Sequence, residues 1–149
     1  MQQSSIRNMV KIMLVVVLVM LLVSVRVFEQ RLFYDPFYDY FKSDYLNLVF
    51  PEFDTLPLFV SMSFRYGINT IVSLAIVQVL FKDWKLTEFA TVLYCVFFVI
   101  LIAVFFLLIT HSDSHNNFIL FYVRRFLIQP IFLLLFVPAF YYQKLKVNQ

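Results

Sequence analysis

Residues Phe89–Ile109 read FATVLYCVFFVILIAVFFLLI, twenty-one positions without a charge and with only Thr91, Tyr94 and Cys95 breaking the apolar run. A helix crossing a hydrocarbon core of about 30 Å needs roughly 20 such residues. This segment therefore predicts a transmembrane helix, and three more runs answer the same description. Ile12–Phe28 (IMLVVVLVMLLVSVRVF) is interrupted only by Ser24 and Arg26. Leu58–Phe81 carries the most polar groups, and Phe118–Tyr142 contains Arg124, Arg125 and Gln129, with Pro130 and Pro138 as kink sites. Composition agrees: 62% of the 149 residues are apolar and 14% charged, with a mean hydropathy of +0.85. An ordinary soluble domain is about half apolar and a quarter charged. The expectation is an all-α integral membrane protein, one membrane domain over residues 1–149, with spans at about 12–28, 58–81, 89–109 and 118–142.

The same composition removes several function classes. The single glycine, Gly67, is incompatible with phosphate-cradling loops, which need several glycines for close backbone approach, and with a GxxxG helix seam. The single cysteine, Cys95, permits neither an intrachain disulfide nor a cysteine zinc cluster. A formal charge of +3, divided among helix ends and spans, reads as membrane topology rather than a nucleic-acid surface. No cofactor motif is present.

Charges outside the spans set the expected orientation. Arg7, Lys11, Lys82, Lys85, Lys144 and Lys146 fall on one side of the membrane, and only Arg31 and Lys42 on the other. Six against two favours both termini in the cytoplasm; counting Arg26, Arg65, Arg124 and Arg125 on the far side makes it six against six, and the short basic N-terminal tail then favours the same orientation. The expected location is a bacterial inner membrane. The first span follows Arg7 and Lys11 but lacks an A-x-A-like cleavage site, so it reads as an uncleaved signal anchor.

In this orientation the intramembrane arginines form a layer. At 1.5 Å per residue, Arg26 lies about 21 Å above the cytoplasmic end of its helix, Arg65 about 24 Å and Arg125 about 26 Å, with Arg124 one step further. Arg26 is expected to snorkel toward headgroups. Adjacent helical residues diverge by roughly 100°, so Arg124 and Arg125 cannot both face inward. Arg125 shares a face with Tyr122 and Gln129, which favours it as the inward one. Arg65, Asn69 and Ser73 recur at i, i+4 and i+8, widened by Tyr66 and Thr70. Such a stripe faces protein or a water-filled cavity, because lipid cannot satisfy it. It serves either as hydrogen-bonding glue between helices or as an outward-opening pocket. In the pocket reading, Arg65, Tyr66, Asn69, Tyr122, Arg125 and Gln129 are the candidate ligand-binding residues.

The loop of residues 29–57 has six acids against two bases, a net charge of −4, and a dense aromatic set. Asp35 before Pro36 is a favourable helix start, and Phe37, Phe41, Tyr45 and Leu48 follow at helical spacing. A short interfacial amphipathic helix is expected here. The loop carboxylates stand at a height where they can pair with the arginine layer and neutralise it.

No catalytic or metal-binding constellation emerges. His111 and His115 flank Asp113 in a polar turn without a third strong ligand, and HExxH is absent. Cys95 lies only about 9 Å above the cytoplasmic end of its span, some 15 Å below Arg65. That is too far for a nucleophile and its base, and Cys95 is expected to be a small buried apolar residue.

Three segments, Leu32–Phe37 (LFYDPF), Phe64–Thr70 (FRYGINT) and Phe121–Pro130 (FYVRRFLIQP), resemble the exosortase F system-associated membrane proteins of flavobacteria, as do the length and span count. The resemblance implies a non-enzymatic accessory partner of an exosortase, a membrane enzyme that processes C-terminal sorting signals at the extracytoplasmic face. It implies no catalytic residues for this chain. The ligands that would suit an Arg-lined pocket are an anionic lipid or a substrate carboxylate, both matched by bidentate guanidinium hydrogen bonds. The alternatives are a small membrane hydrolase or transferase acting at the outer face, and a small transporter subunit.

Overall fold

The computed structural model describes residues 2–43, 51–111 and 117–147. All regular structure among them is helical. In chain order the helices are α1 (Gln2–Val27), α2 (Glu29–Leu32), α3 (Phe37–Lys42), α4 (Thr55–Phe81), α5 (Trp84–Thr110), α6 (Asn117–Ile128) and α7 (Ile131–Val147). Three of them, α1, α4 and α5, are each long and apolar enough to cross a membrane. The pair α6 and α7 qualifies as a fourth crossing when counted as one bent span. The chain is a membrane-embedded helical protein.

Helix α4 is the hub: it packs against α1, α5, α6 and α7. Its buried face, Leu58, Met62, Arg65, Tyr66, Asn69, Val72, Ser73, Ile76 and Val77, follows helical spacing. By contrast, α1 leaves both its flanks open, with Met13, Val16, Val17, Met20 and Val23 exposed. These are side chains that lipid satisfies as well as protein does. The helices run past the expected spans, since α4 and α5 each have 27 residues, or about 40 Å. The extra turns come from polar starts. Asp83 caps α5 by accepting hydrogen bonds from the backbone N–H groups of Lys85 at 3.0 Å and Leu86 at 3.4 Å.

The expected fourth span is not one continuous helix. In place of a single helix over 118–142, the chain breaks at Gln129–Pro130, and α6 and α7 diverge by 64°. Pro130 lacks the N–H that would bond Phe126 and restricts the backbone of Gln129. Pro138, the other expected kink site, stays inside α7. With 12 and 17 residues, or about 18 and 25 Å, neither half alone spans a 30 Å core.

The two ends of the bundle differ. At the end holding the termini and the α4–α5 turn, Lys11 and Lys144 donate to the carbonyls of Leu80 (2.6 Å) and Phe81 (2.5 Å). Both carbonyls belong to the last turn of α4, which has no intrahelical donors left. The other end is closed by α2 and α3. A helix begins where the Asp-Pro pair suggests: α3 covers the first six residues of the expected stripe, with Phe37, Tyr40 and Phe41 buried and Asp39 and Lys42 exposed. It reaches into the bundle: the Phe37 ring meets Phe105 at 6.0 Å, and Phe41 meets Phe121 at 5.4 Å. Asn117 donates to the Tyr40 hydroxyl at 3.1 Å. Tyr45 and Leu48 lie outside the described residues.

Candidate functional site

At the capped end, four charged side chains from four separate segments converge. Arg65 on α4 is 2% exposed and forms an ion pair through Nη2 with Glu29 at the start of α2. Its Nη1 lies 3.3 Å from Asp35 Oδ2. Arg124 on α6, itself buried, pairs through Nη2 with the same Asp35 oxygen. Two guanidinium groups thus meet two carboxylates, and the cluster is neutral. Aromatic rings complete the enclosure, with Phe33 placed 5.4 Å from the Arg65 guanidinium carbon and Phe41 placed 5.7 Å from that of Arg124.

Local sequence explains how Asp35 comes to bridge. Pro36 follows it and occupies the N-cap position of α3, with no side-chain cap hydrogen bond. Asp35 therefore does not cap the helix as the Asp-Pro pair suggests. A missing cap costs about 1 kcal/mol, whereas a buried arginine stripped of its carboxylate costs about 3–5 kcal/mol. The carboxylate goes where the larger penalty lies.

Below this cluster the polar stripe on α4 holds neighbouring helices. The Tyr66 hydroxyl donates to the Tyr94 carbonyl on α5 at 2.8 Å. Asn69 Nδ2 donates to the Ile128 carbonyl at 3.0 Å. Ile128 ends α6, so its carbonyl is one that the Pro130 break releases, and Asn69 satisfies it where lipid could not. Ser73 is fully buried on the same face. The inward direction read for Arg65, Asn69 and Ser73 holds, and Tyr66 and Asn69 are engaged in joining helices.

On α6 the inward arginine is Arg124, and the choice of Arg125 is corrected. The buried positions there are Asn117, Leu120, Arg124, Leu127 and Ile128, a helical stripe that Arg124 belongs to. Arg125 is exposed and donates through Nε to Gln129 Oε1 at 3.2 Å. Tyr122 is 43% exposed and packs edge-on against Phe118, with ring centroids 4.9 Å apart. The candidates Arg65, Tyr66 and Asn69 thus lie inside the bundle, while Tyr122, Arg125 and Gln129 lie along its outer flank. Glu29, Asp35 and Arg124 complete the inner group, and aliphatic neighbours at 120, 127 and 128 are the signal that marks Arg124.

Two clefts open beside the cluster. One of about 380 Å³ is lined by Phe33, Tyr34, Asp35, Asp39 and Arg65 among others. The second, about 310 Å³, is lined by Arg26, Lys42, Arg124, Arg125 and Gln129, with Glu29 as its one acid. Cys95 is exposed on the flank of α5, contrary to its expected burial, because Tyr94 takes the inward position. His111 is exposed beside the Leu107 carbonyl, and His115 lies outside the described residues. Among the described residues no group of three or more His, Cys, Asp and Glu side chains could hold a metal.

Comparison of the chain with protein-family models, curated proteins and solved structures found no match.

Proposed function

We propose that this chain is a non-enzymatic accessory membrane subunit of an exosortase-type protein-sorting system. In this reading it crosses a bacterial inner membrane four times, with α6 and α7 as the fourth crossing. Both termini are cytoplasmic, and the capped end faces outward. One observation carries the proposal: the three segments that resemble exosortase-associated proteins meet in space. Asp35 comes from the first, Arg65 and Asn69 from the second, and Arg124 and Ile128 from the third, and direct bonds connect them. The polar insertions that make those segments distinctive serve one construction, a locked and charge-balanced cap on the bundle. A rigid outer face of this kind suits a subunit that positions a partner enzyme or its substrate.

The test is affinity capture of the tagged full chain from native membranes. The proposal expects an exosortase to co-purify and sorting-signal processing to fail when the gene is deleted. Turnover of a lipid-linked substrate by the purified chain alone would overturn it in favour of the hydrolase or transferase reading. Orientation is read separately. A cysteine introduced at Ser43 should label with an impermeant reagent in spheroplasts and one at Lys85 should not; the opposite pattern inverts the topology.

A further inference from the structure

We infer that the 310 Å³ cleft between α1, α3 and α6 binds the phosphate of an anionic phospholipid headgroup. This deepens the accessory-subunit reading by naming a ligand and its residues, and it rests on that reading only for membrane placement. Five charged side chains line this cleft. Glu29 is committed to Arg65, and Arg124 to Asp35. That leaves Arg26 from α1, Lys42 from α3 and Arg125 from α6. None of these three has a carboxylate partner among the described residues. Lys42 stands 5.7 Å from the Tyr38 ring centre, and Arg125 bonds only the neutral Gln129. Three helices therefore bring three uncompensated cations to one concavity.

Cations gathered at membrane depth mark candidate functional sites, and an anion shared among these three offsets their mutual repulsion. Arginine matches phosphate oxygens with two parallel hydrogen bonds, and Gln129 adds a neutral donor. The cleft volume lies at the lower end of the roughly 300–1,000 Å³ typical of small-molecule sites, a size suited to a headgroup rather than a whole lipid. Its rim is apolar: Phe121 and Ile128 line it, and about one and two turns below Arg26 the exposed Val23 and Val19 carry the apolar surface of α1 toward the membrane interior. That continuation gives acyl chains a place to lie while the phosphate occupies the cleft. It is why the ligand is a lipid and not a free anion.

The test uses the purified full chain in detergent, with no partner enzyme present, so that failure here leaves the sorting proposal standing. Equimolar phosphatidylglycerol and phosphatidylcholine are added and retained lipid is read by native mass spectrometry. Wild type should retain phosphatidylglycerol preferentially, because the choline ammonium would face three cations. At about 1 kcal/mol per basic residue near a membrane surface, Arg125→Gln should weaken retention about fivefold. The triple variant Arg26→Gln, Lys42→Gln, Arg125→Gln should weaken it about a hundredfold. A thermal melt of each variant shows whether it is folded, and the double variant Arg26→Lys, Arg125→Lys, which keeps the charge, should lose less than the double variant Arg26→Gln, Arg125→Gln. Equal retention of both lipids by wild type would overturn the inference, as would wild-type retention by a folded triple variant. Displacement of phosphatidylglycerol by an equal concentration of inorganic phosphate would show a free-phosphate site and overturn the lipid assignment.

Discussion

Arg124 and Arg125 are joined by a peptide bond and occupy two different environments. Arg124 is 6% exposed, ion-paired to Asp35 and faced by Phe41. Arg125 is exposed, bonded to Gln129, and shares the 310 Å³ cleft with Arg26 and Lys42, which have no carboxylate partner among the described residues. The comparison extends to their surroundings: the inner region holds as many carboxylates as guanidiniums, while the outer region holds cations in excess. Burial and compensation go together because desolvating an unpaired charge costs several kcal/mol, whereas a charge that reaches water or headgroups is spared that cost. The inner region is built for holding helices together, and the outer region remains free to take a ligand.

The sharpest way to break this contrast is to remove the bridging carboxylate. Asp35→Asn leaves two buried guanidinium groups with Glu29 alone. Stability should fall by about 3–5 kcal/mol, read as a shift in the denaturant-induced unfolding of the detergent-solubilised chain. Stability close to wild type would mean that the inner cluster is no more committed than the outer cleft.

A smaller loss is expected deeper in the bundle. Asn69→Ala removes the donor to the Ile128 carbonyl and should cost about 1–2 kcal/mol, the range of interhelical hydrogen bonds in membranes. Hydrogen exchange at the start of α7 should rise with it, since the carbonyl at the break would lose its partner. An unchanged variant would imply that the break is held by packing alone.

At the low end, Arg125→Gln should change stability by no more than about 0.5 kcal/mol, as for most surface substitutions, while lowering lipid retention as described. A loss comparable to that of Asp35→Asn would erase the distinction between the two arginines.

These contrasts also show how far the sequence can be read. The long apolar helices α1, α4 and α5 were legible because uninterrupted apolar runs have few other uses. The stripe Arg65, Asn69 and Ser73 was legible because polar groups in such a run must face protein. The face of α5 was not: it is apolar all round, so nothing distinguished the side of Tyr94, which is buried, from that of Cys95, which is exposed. Pro130 was visible as a kink, but the 64° bend is accompanied by Asn69 taking the released carbonyl, a tertiary contact with no local signature. The choice of Arg125 over Arg124 failed for a similar reason. Polar neighbours at Tyr122 and Gln129 looked like a site, but they mark the outer flank of the helix, where Arg125 is exposed. Asp35 was read as a helix cap from its neighbour Pro36, and only the meeting of α4 with α6 shows that two arginines claim it first.

The central claim is that Asp35 and Arg124 act as one unit inside a neutral cluster, and a double-mutant cycle tests it most directly. Asp35→Asn, Arg124→Gln and the combined variant are unfolded under identical detergent conditions and their free energies compared. Residues sharing an ion-pair network show coupling of about 0.5–3 kcal/mol. The account predicts that the double variant is less destabilised than the sum of the single ones by an amount in that range, since removing both partners leaves fewer unpaired buried charges than either single change. Free energies that add within about 0.3 kcal/mol would contradict it and dissolve the inner cluster as a unit.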